Sequence, residues 1–122
     1  MSIVGSFNQL SVWKKAHELS LALYLLVNAF PTKERFCLTD QMCRAVTSIE
    51  LNIAEGSGRK TKKDFIHFLV ISRGSAREVL CLLLLSRDLG YINEEKYLKL
   101  ADQTEEIIKM TNGLIRYLSQ QL

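Results

Sequence analysis

Apolar residues return every three or four positions along almost the whole chain, and very little interrupts them. In 122 residues there is one proline, Pro31, and there are six glycines. That period with so few breakers specifies long helices rather than many short strands. The length is that of one domain, and at this size a folded chain hides roughly two-thirds of its surface, enough for a core without staples. Hydrophobic residues at 48% against 24% charged exclude a disordered chain.

Punctuation divides the pattern into four helices. The first is expected from Ser11 to Phe30, with Ser11 as N-cap, Pro31 as the stop, and Val12, Ala16, Leu19, Leu23, Leu26 and Phe30 on one face. The second is expected from Asp40 to Gly56, capped by Thr39, with Met42, Ala45, Val46, Ile49 and Ile53 inward. Gly56 or Gly58 would end it in a left-handed conformation. The third should run from Lys62 to Leu89 behind a Thr61–Asp64 capping box and end at Gly90. Phe65, Phe68, Ser72, Ser75, Val79, Leu82, Ser86 and Leu89 keep its seven-residue repeat, and Ser72, Gly74, Ser75 and Ala76 would let another helix approach closely. The fourth, capped by Asn93, should reach Leu118 with Leu98, Ala101, Ile108, Thr111, Ile115 and Leu118 on its stripe. Short connections make the expected fold an all-α, antiparallel, up-down-up-down four-helix bundle. It forms a single domain over residues 1–122, with residues 1–10 as an N-terminal arm.

The third helix carries more apolar surface than one small bundle can hide. From Leu80 to Leu85 it is apolar nearly all round, which predicts burial on more than one side. The second buried side is expected to meet another subunit, so the fold is expected to be oligomeric. Leu80, Leu83, Leu84, Leu85 and Trp13 are the candidate interface residues. That run is also far shorter than the ~20 helical residues needed to cross a bilayer. With no basic start followed by an apolar core at the N-terminus, and three cysteines without a C-x-x-C pair, a cytoplasmic chain with reduced thiols is expected.

Net charge is only +3, so clustering matters more than the total. One cluster stands out. Asn52-Ile53-Ala54-Glu55-Gly56-Ser57-Gly58-Arg59 holds two glycines, and Arg59, Lys60, Lys62 and Lys63 crowd the helix start that follows. Free amides beside concentrated positive charge suit phosphate. A solvated, charged helix start would look the same. Asn52, Glu55 and Arg59 would share a face if the helix persisted, either as a polar pocket or as a network locking the turn. With Gly56 and Gly58, Asn52 and Glu55 make up the candidate structural junction. Arg44, Arg73 and Arg77 are secondary phosphate candidates; with Glu78 they could instead form salt bridges between subunits.

Taken together, several segments resemble a known family. These are Phe7-x-x-Leu10-x-Val12-Trp13-x-x-Ala16, Leu38-Thr39-x-Gln41-x-x-Arg44-Ala45 and Ser48-Ile49-x-x-Asn52-Ile53-Ala54-Glu55-Gly56. Phe65-x-x-Phe68-Leu69, Gly74-Ser75-x-x-Glu78, Leu89-Gly90-Tyr91-Ile92 and Asn112-Gly113-Leu114-Ile115 follow in order. The set resembles the bacterial four-helix-bundle proteins encoded within intervening sequences of 23S ribosomal RNA genes, over nearly the whole chain. The resemblance implies an antiparallel bundle assembling into a ring-like homopentamer. It also implies kinship with the accessory protein of diversity-generating retroelements, which binds a reverse transcriptase and nucleic acid through basic surface. The chain departs from the family at Glu50, where relatives often carry proline, so the second helix need not kink before Asn52.

No catalytic set accompanies these features, and the chain is expected to be non-enzymatic. His17 and His67 lie on different helices without carboxylate or cysteine at ligand spacing, and Cys37 and Cys43 match no zinc pattern, so neither metal nor cofactor is expected. Arg59 and His67 are too far apart for the Arg–His pair of four-helical ribonucleases. Trp13, behind Phe7 and Leu10, could stack on bases or anchor the N-terminal arm on the bundle or on a neighbouring subunit. The expected role is binding of RNA or other nucleic acid. The alternative is a protein-interaction scaffold for an enzyme such as a reverse transcriptase.

Overall fold

The computed structural model describes residues 6–122, and the first five residues of the N-terminal arm lie outside them. Among the described residues there are four long helices and no strand: α1 (Ser11–Leu26), α2 (Leu38–Ser57), α3 (Lys62–Asp88) and α4 (Glu94–Ser119). Short 3₁₀ turns occupy Phe7–Gln9, Val27–Ala29 and Thr32–Glu34. Each helix packs on its neighbour in sequence, and α1 closes onto α4. The cross-helix contacts run in opposite senses. His17 meets Glu50 and Ser20 meets Val46; Gly56 meets Phe65 and Phe68 while Ser48 meets Ser75; Arg73 meets Asn112 and Arg87 meets Tyr97.

The expected inward residues of α1 and α2 do form the core. Ala16, Leu23, Met42, Val46, Ile49 and Ile53 are fully buried, and only Leu26 is partly open. On α3, Ser72, Ser75 and Ala76 are buried as the close-approach reading requires. The Ser72 hydroxyl donates to the Ile49 carbonyl at 2.9 Å, and Ser75 shares a 2.8 Å hydrogen bond with Ser48. Gly74 is the exception: it is exposed, with nothing near the place a side chain would fill.

Helix ends depart from expectation where capping is supplied from a distance. Ser11 is the first residue of α1, not its cap; Leu10 holds that position and offers no side-chain bond. The last turn of the segment tightens to 3₁₀ at Val27–Ala29, and Phe30 is already extended before Pro31. α2 begins two residues early. The Leu38 amide donates to Glu34 Oε1 at 3.3 Å, so Thr39 falls inside the first turn and caps nothing. The other Glu34 oxygen accepts from the Tyr91 hydroxyl at 2.7 Å. One carboxylate thereby ties the α1–α2 connection to the α3–α4 connection. Its hydrogen bond, followed by burial, raises the Tyr91 phenol pKa above its ordinary 10.0.

The other caps follow the sequence. Thr61 Oγ1 accepts from the Asp64 amide at 3.1 Å, and Asn93 Oδ1 from the Lys96 amide at 2.8 Å. Gly90, at φ +82°, closes α3 with the Tyr91 amide bonded to the Ser86 carbonyl. Leu89 therefore leaves the repeat and is exposed. The α4 stripe was placed wrongly at its start. Leu98 faces outward, and the core takes Leu100, Thr104 and Ile107 instead. Thr104 disguised the pattern; it can be buried because its hydroxyl donates to the Leu100 carbonyl at 2.8 Å.

Gly56 and Gly58 do not stop α2 by left-handed geometry. Gly56 is helical and buried, and Gly58 caps at φ −90°, ψ −2°. Gly56 matters through space. A Cβ there would come within 2.8 Å of Phe68 Cβ and 2.9 Å of Phe65 Cδ1. The end of α2 thus lies against the start of α3 only because residue 56 has no side chain. At Gly58 the nearest atom to a Cβ would be 3.7 Å away, an ordinary contact.

Two outcomes follow. Gly56→Ala is expected to cost about 1–3 kcal/mol by overpacking, while Gly58→Ala costs nothing measurable; equal urea midpoints for the two variants would refute the packing account. Tyr91→Phe should lower the urea midpoint near neutral pH, because a raised phenol pKa means stability that is fully present below 10.0. That contribution is lost as pH rises through the folded-state value, so the gap between variant and wild type should close in strong alkali.

Candidate nucleic-acid interface

The α2–α3 turn is short and held at both ends. Gly58 and Arg59 amides return to the Glu55 and Gly56 carbonyls at 3.3 and 3.1 Å, and Thr61 caps α3. Capping satisfies the Asp64 amide, and the Phe65 amide begins the helical ladder on the Thr61 carbonyl. The Lys62 and Lys63 amides are left without a helical partner, as at any helix start.

Around these amides the four cations divide into two kinds. Arg59 is committed: its Nη1 donates to Glu55 Oε2 at 3.3 Å, and its guanidinium lies 4.9 Å from the Phe68 ring centroid. Lys60, Lys62 and Lys63 are exposed, and no ion pair among the described residues engages them. Two carboxylates, Glu55 and Asp64, stand against the four cations, so the turn keeps a positive surplus. The expected sharing of one face by Asn52, Glu55 and Arg59 is only half realised. Asn52 Nδ2 donates backward to the Ser48 carbonyl at 2.8 Å and to the Ser48 hydroxyl at 3.0 Å, joining the Ser48–Ser75 contact instead. Serine at position 48 was the closer acceptor, one helical turn back.

The secondary cations lie elsewhere. Arg44 pairs with Asp40 one turn away at 2.9 Å, far up α2. Arg73 is part-buried; its Nη1 donates to Asn112 Oδ1 at 2.9 Å, and its Nε is buried without a partner among the described residues. Arg77 and Glu78 are exposed and unpaired among the described residues. From Lys62 to Arg73 and Arg77 is roughly 16–23 Å along α3, so the seven cations form no single surface in one protomer. Sequence reasoning missed Lys109 and Arg116. They lie three before and four after Asn112, are both exposed, and extend the Arg73–Arg77 strip onto α4. The spacing was visible, but only the Arg73–Asn112 contact shows which α3 residues they accompany.

Trp13 is occupied inside the protomer. Its ring stacks on His17 at 4.7 Å and takes the edge of Phe7 at 5.1 Å, so it anchors the described part of the arm. His17 Nδ1 in turn lies 3.0 Å from Glu50 Oε2. α2 runs unbroken through Glu50, the position at which proline was the family expectation. Of the leucines offered to another subunit, Leu83 is fully buried in the protomer's own core and has no surface to give; it follows the inward period of Leu69, Ala76 and Val79. Leu80 is partly buried, while Leu84 and Leu85 remain 39% and 46% exposed.

Known proteins bear on this geometry in two ways. The model of the family described as 23S rRNA-intervening sequence protein matches residues 8–113, and the chain belongs to that family. A crystal structure of a protein with unknown function from the S23 ribosomal protein family of Bacteroides thetaiotaomicron is similar, with a TM-score of 0.80 and 28% identity over 86% of this chain and 95% of that one. No curated protein matches.

The two kinds of arginine should behave differently. Asn112→Ala leaves the part-buried Arg73 guanidinium with less to bond and is expected to cost about 1–3 kcal/mol, whereas Arg77→Ala should stay within about 0.5 kcal/mol of wild type. Thermal unfolding of both variants measures this, and a neutral Asn112→Ala would show that Arg73 is not held for stability.

Proposed function

We propose that this member of the 23S rRNA-intervening sequence protein family is a non-enzymatic, cytoplasmic, antiparallel four-helix bundle. It assembles with copies of itself and binds RNA or another nucleic acid by its phosphates. The observation that carries the proposal is the α2–α3 turn: Lys60, Lys62 and Lys63 are exposed, and unpaired among the described residues, beside open amides, on a turn fixed by Gly56 packing and the Thr61 cap. Exposed lysines on a rigid turn favour backbone contact over sequence readout. Three lysines hold phosphate only weakly at physiological salt. Assembly compensates, since each copy presents the same turn and contacts to one strand add through high local concentration. The surplus apolar surface of Leu84 and Leu85 supports that self-association, and a homopentamer is the size the family resemblance favours. Arg59 shapes the turn, and Arg73 and Arg77 add a second, more distant contact.

A scaffold for a nucleic-acid enzyme such as a reverse transcriptase is the second reading. A groove of about 520 Å³ between α1 and α2, with Leu21, Tyr24 and Leu51 on its walls, favours it as an apolar seat for a protein partner.

The two separate by salt. Retention of a single-stranded RNA should weaken as salt rises, with each phosphate contact contributing about 0.7 to the logarithmic slope. Lys62→Glu with Lys63→Glu should flatten that slope and abolish retention at about 150 mM salt. No retention of any RNA by the wild type at low salt would exclude phosphate binding and leave the scaffold.

A further inference from the structure

The groove between α1 and α2 is built around one carboxylate. α1 lines it with His17, Ser20, Leu21 and Tyr24, spaced as one helical face, and α2 with Thr47, Glu50 and Leu51. Its two aliphatic hydroxyls are already used. Ser20 Oγ donates to the Val46 carbonyl at 3.4 Å and Thr47 Oγ1 to the Cys43 carbonyl at 2.8 Å. Glu50 is different. Its side chain is only 14% exposed, and its one ion-pair partner among the described residues is His17, whose Nδ1 lies 3.0 Å from Oε2. An ionised carboxylate only accepts, so Nδ1 carries the proton and Oε1 keeps its lone pairs. No lysine or arginine among the described residues pairs with Glu50. Beside this carboxylate, Leu21 and Leu51 are 61% and 64% exposed. Burial first, then Cys43 and Glu50, raise the Tyr24 phenol above its ordinary 10.0, so a second negative charge is unwelcome here.

We infer that the α1–α2 groove binds a small organic ammonium ion, with an apolar stem between Leu21 and Leu51 and the charged head on Glu50 Oε1. Charge decides the class. A carboxylate withdrawn from water is costly unless a cation meets it, and a charge-assisted N–H···O bond is among the stronger contacts available to it. An anion would be repelled by Glu50, and a wholly apolar guest would cover the carboxylate without bonding it. A bare calcium or magnesium ion needs about six oxygen ligands, and the groove offers one carboxylate beside hydroxyls already turned to backbone. Size decides the rest. A volume of about 520 Å³ falls among small-molecule sites, roughly 300–1,000 Å³, whereas a stable protein interface covers about 800 Å² on each partner. The site depends neither on the lysine turn nor on self-association.

Calorimetric titration of the wild-type protein with hexylammonium chloride tests this, with 1-hexanol and hexanoate as neutral and anionic isosteres. Hexylammonium should bind with about millimolar affinity, at least tenfold more tightly than 1-hexanol, and hexanoate should not bind. Methylammonium should bind at least tenfold more weakly than hexylammonium, because the stem supplies the apolar contact. Trp13 is the single tryptophan and stacks on His17 at 4.7 Å, so its fluorescence should change with the same midpoint and locate the ligand. Glu50→Gln should bring hexylammonium down to the 1-hexanol level, and Leu21→Ala and Leu51→Ala should each weaken it about threefold or more. Should Glu50→Gln lose helicity by circular dichroism, the two leucine variants and the hexanol comparison decide the matter. Equal binding of hexylammonium and 1-hexanol leaves a plain apolar seat, as the scaffold reading has it, and overturns the ammonium site. Absence of binding overturns it as well, as does binding that persists in a folded Glu50→Gln or in both leucine variants.

Discussion

The missing side chain at Gly56 sets the geometry on which the rest depends. With its Cβ position 2.8 Å from Phe68 Cβ, no other residue lets the end of α2 press on the first turn of α3. That closeness keeps the connection to a few residues and brings Arg59 over the Phe68 ring. It also draws the Ser48–Ser75 and Ile49–Ser72 contacts into register further along the same pair of helices. Small residues let the backbones approach, and hydroxyls then satisfy polar groups that the approach buries. The basic turn is therefore a consequence of packing: its lysines stand on a platform that the core has already fixed.

Much of this was legible in the residues. Four helices, their core faces on α1 and α2, the Thr61 and Asn93 caps and the Gly90 stop all follow from local chemistry, and local chemistry is what a sequence displays. The misplacements share a cause. Glu34 caps α2 through a 3₁₀ turn rather than from the adjacent position, so Thr39 looked like a cap when it was not. Thr104 is buried because its own helix bonds its hydroxyl, so a polar residue hid the true start of the α4 stripe. Gly56 read as a stop because glycine after a helix usually is one; its real role needs the neighbouring helix to be seen. In the candidate site, the Glu55–Arg59 pair was legible from spacing, whereas the Arg73–Asn112 contact joins residues 39 apart and gave no local signal.

The placement of Leu83 refines the idea of surplus apolar surface without removing it. A helix can be apolar all round and still bury half its girth in its own bundle, as Leu82 and Leu83 do. What remains outside is Leu84 and Leu85, and it is joined by Leu21, Leu25 and Leu98 from other helices. The excess therefore belongs to the bundle as a whole. Scattered exposed leucines are ordinary on a protein surface; these five come from three helices, α1, α3 and α4.

Self-association matters to the proposed function because of how weakly lysines hold phosphate. A cluster of three exposed lysines draws a nucleic acid mostly through counterion release, a term that fades as salt rises. Adding cations to one turn would raise that term only by adding repulsion at the positive end of the α3 dipole, where Asp64 already offsets Lys62 and Lys63. In the proposed reading, repeating the turn on several copies avoids that conflict, because no single helix start has to carry the added charge. In that reading a modest basic turn and self-association are two parts of one solution, and the helix start limits how far the first could be strengthened without the second.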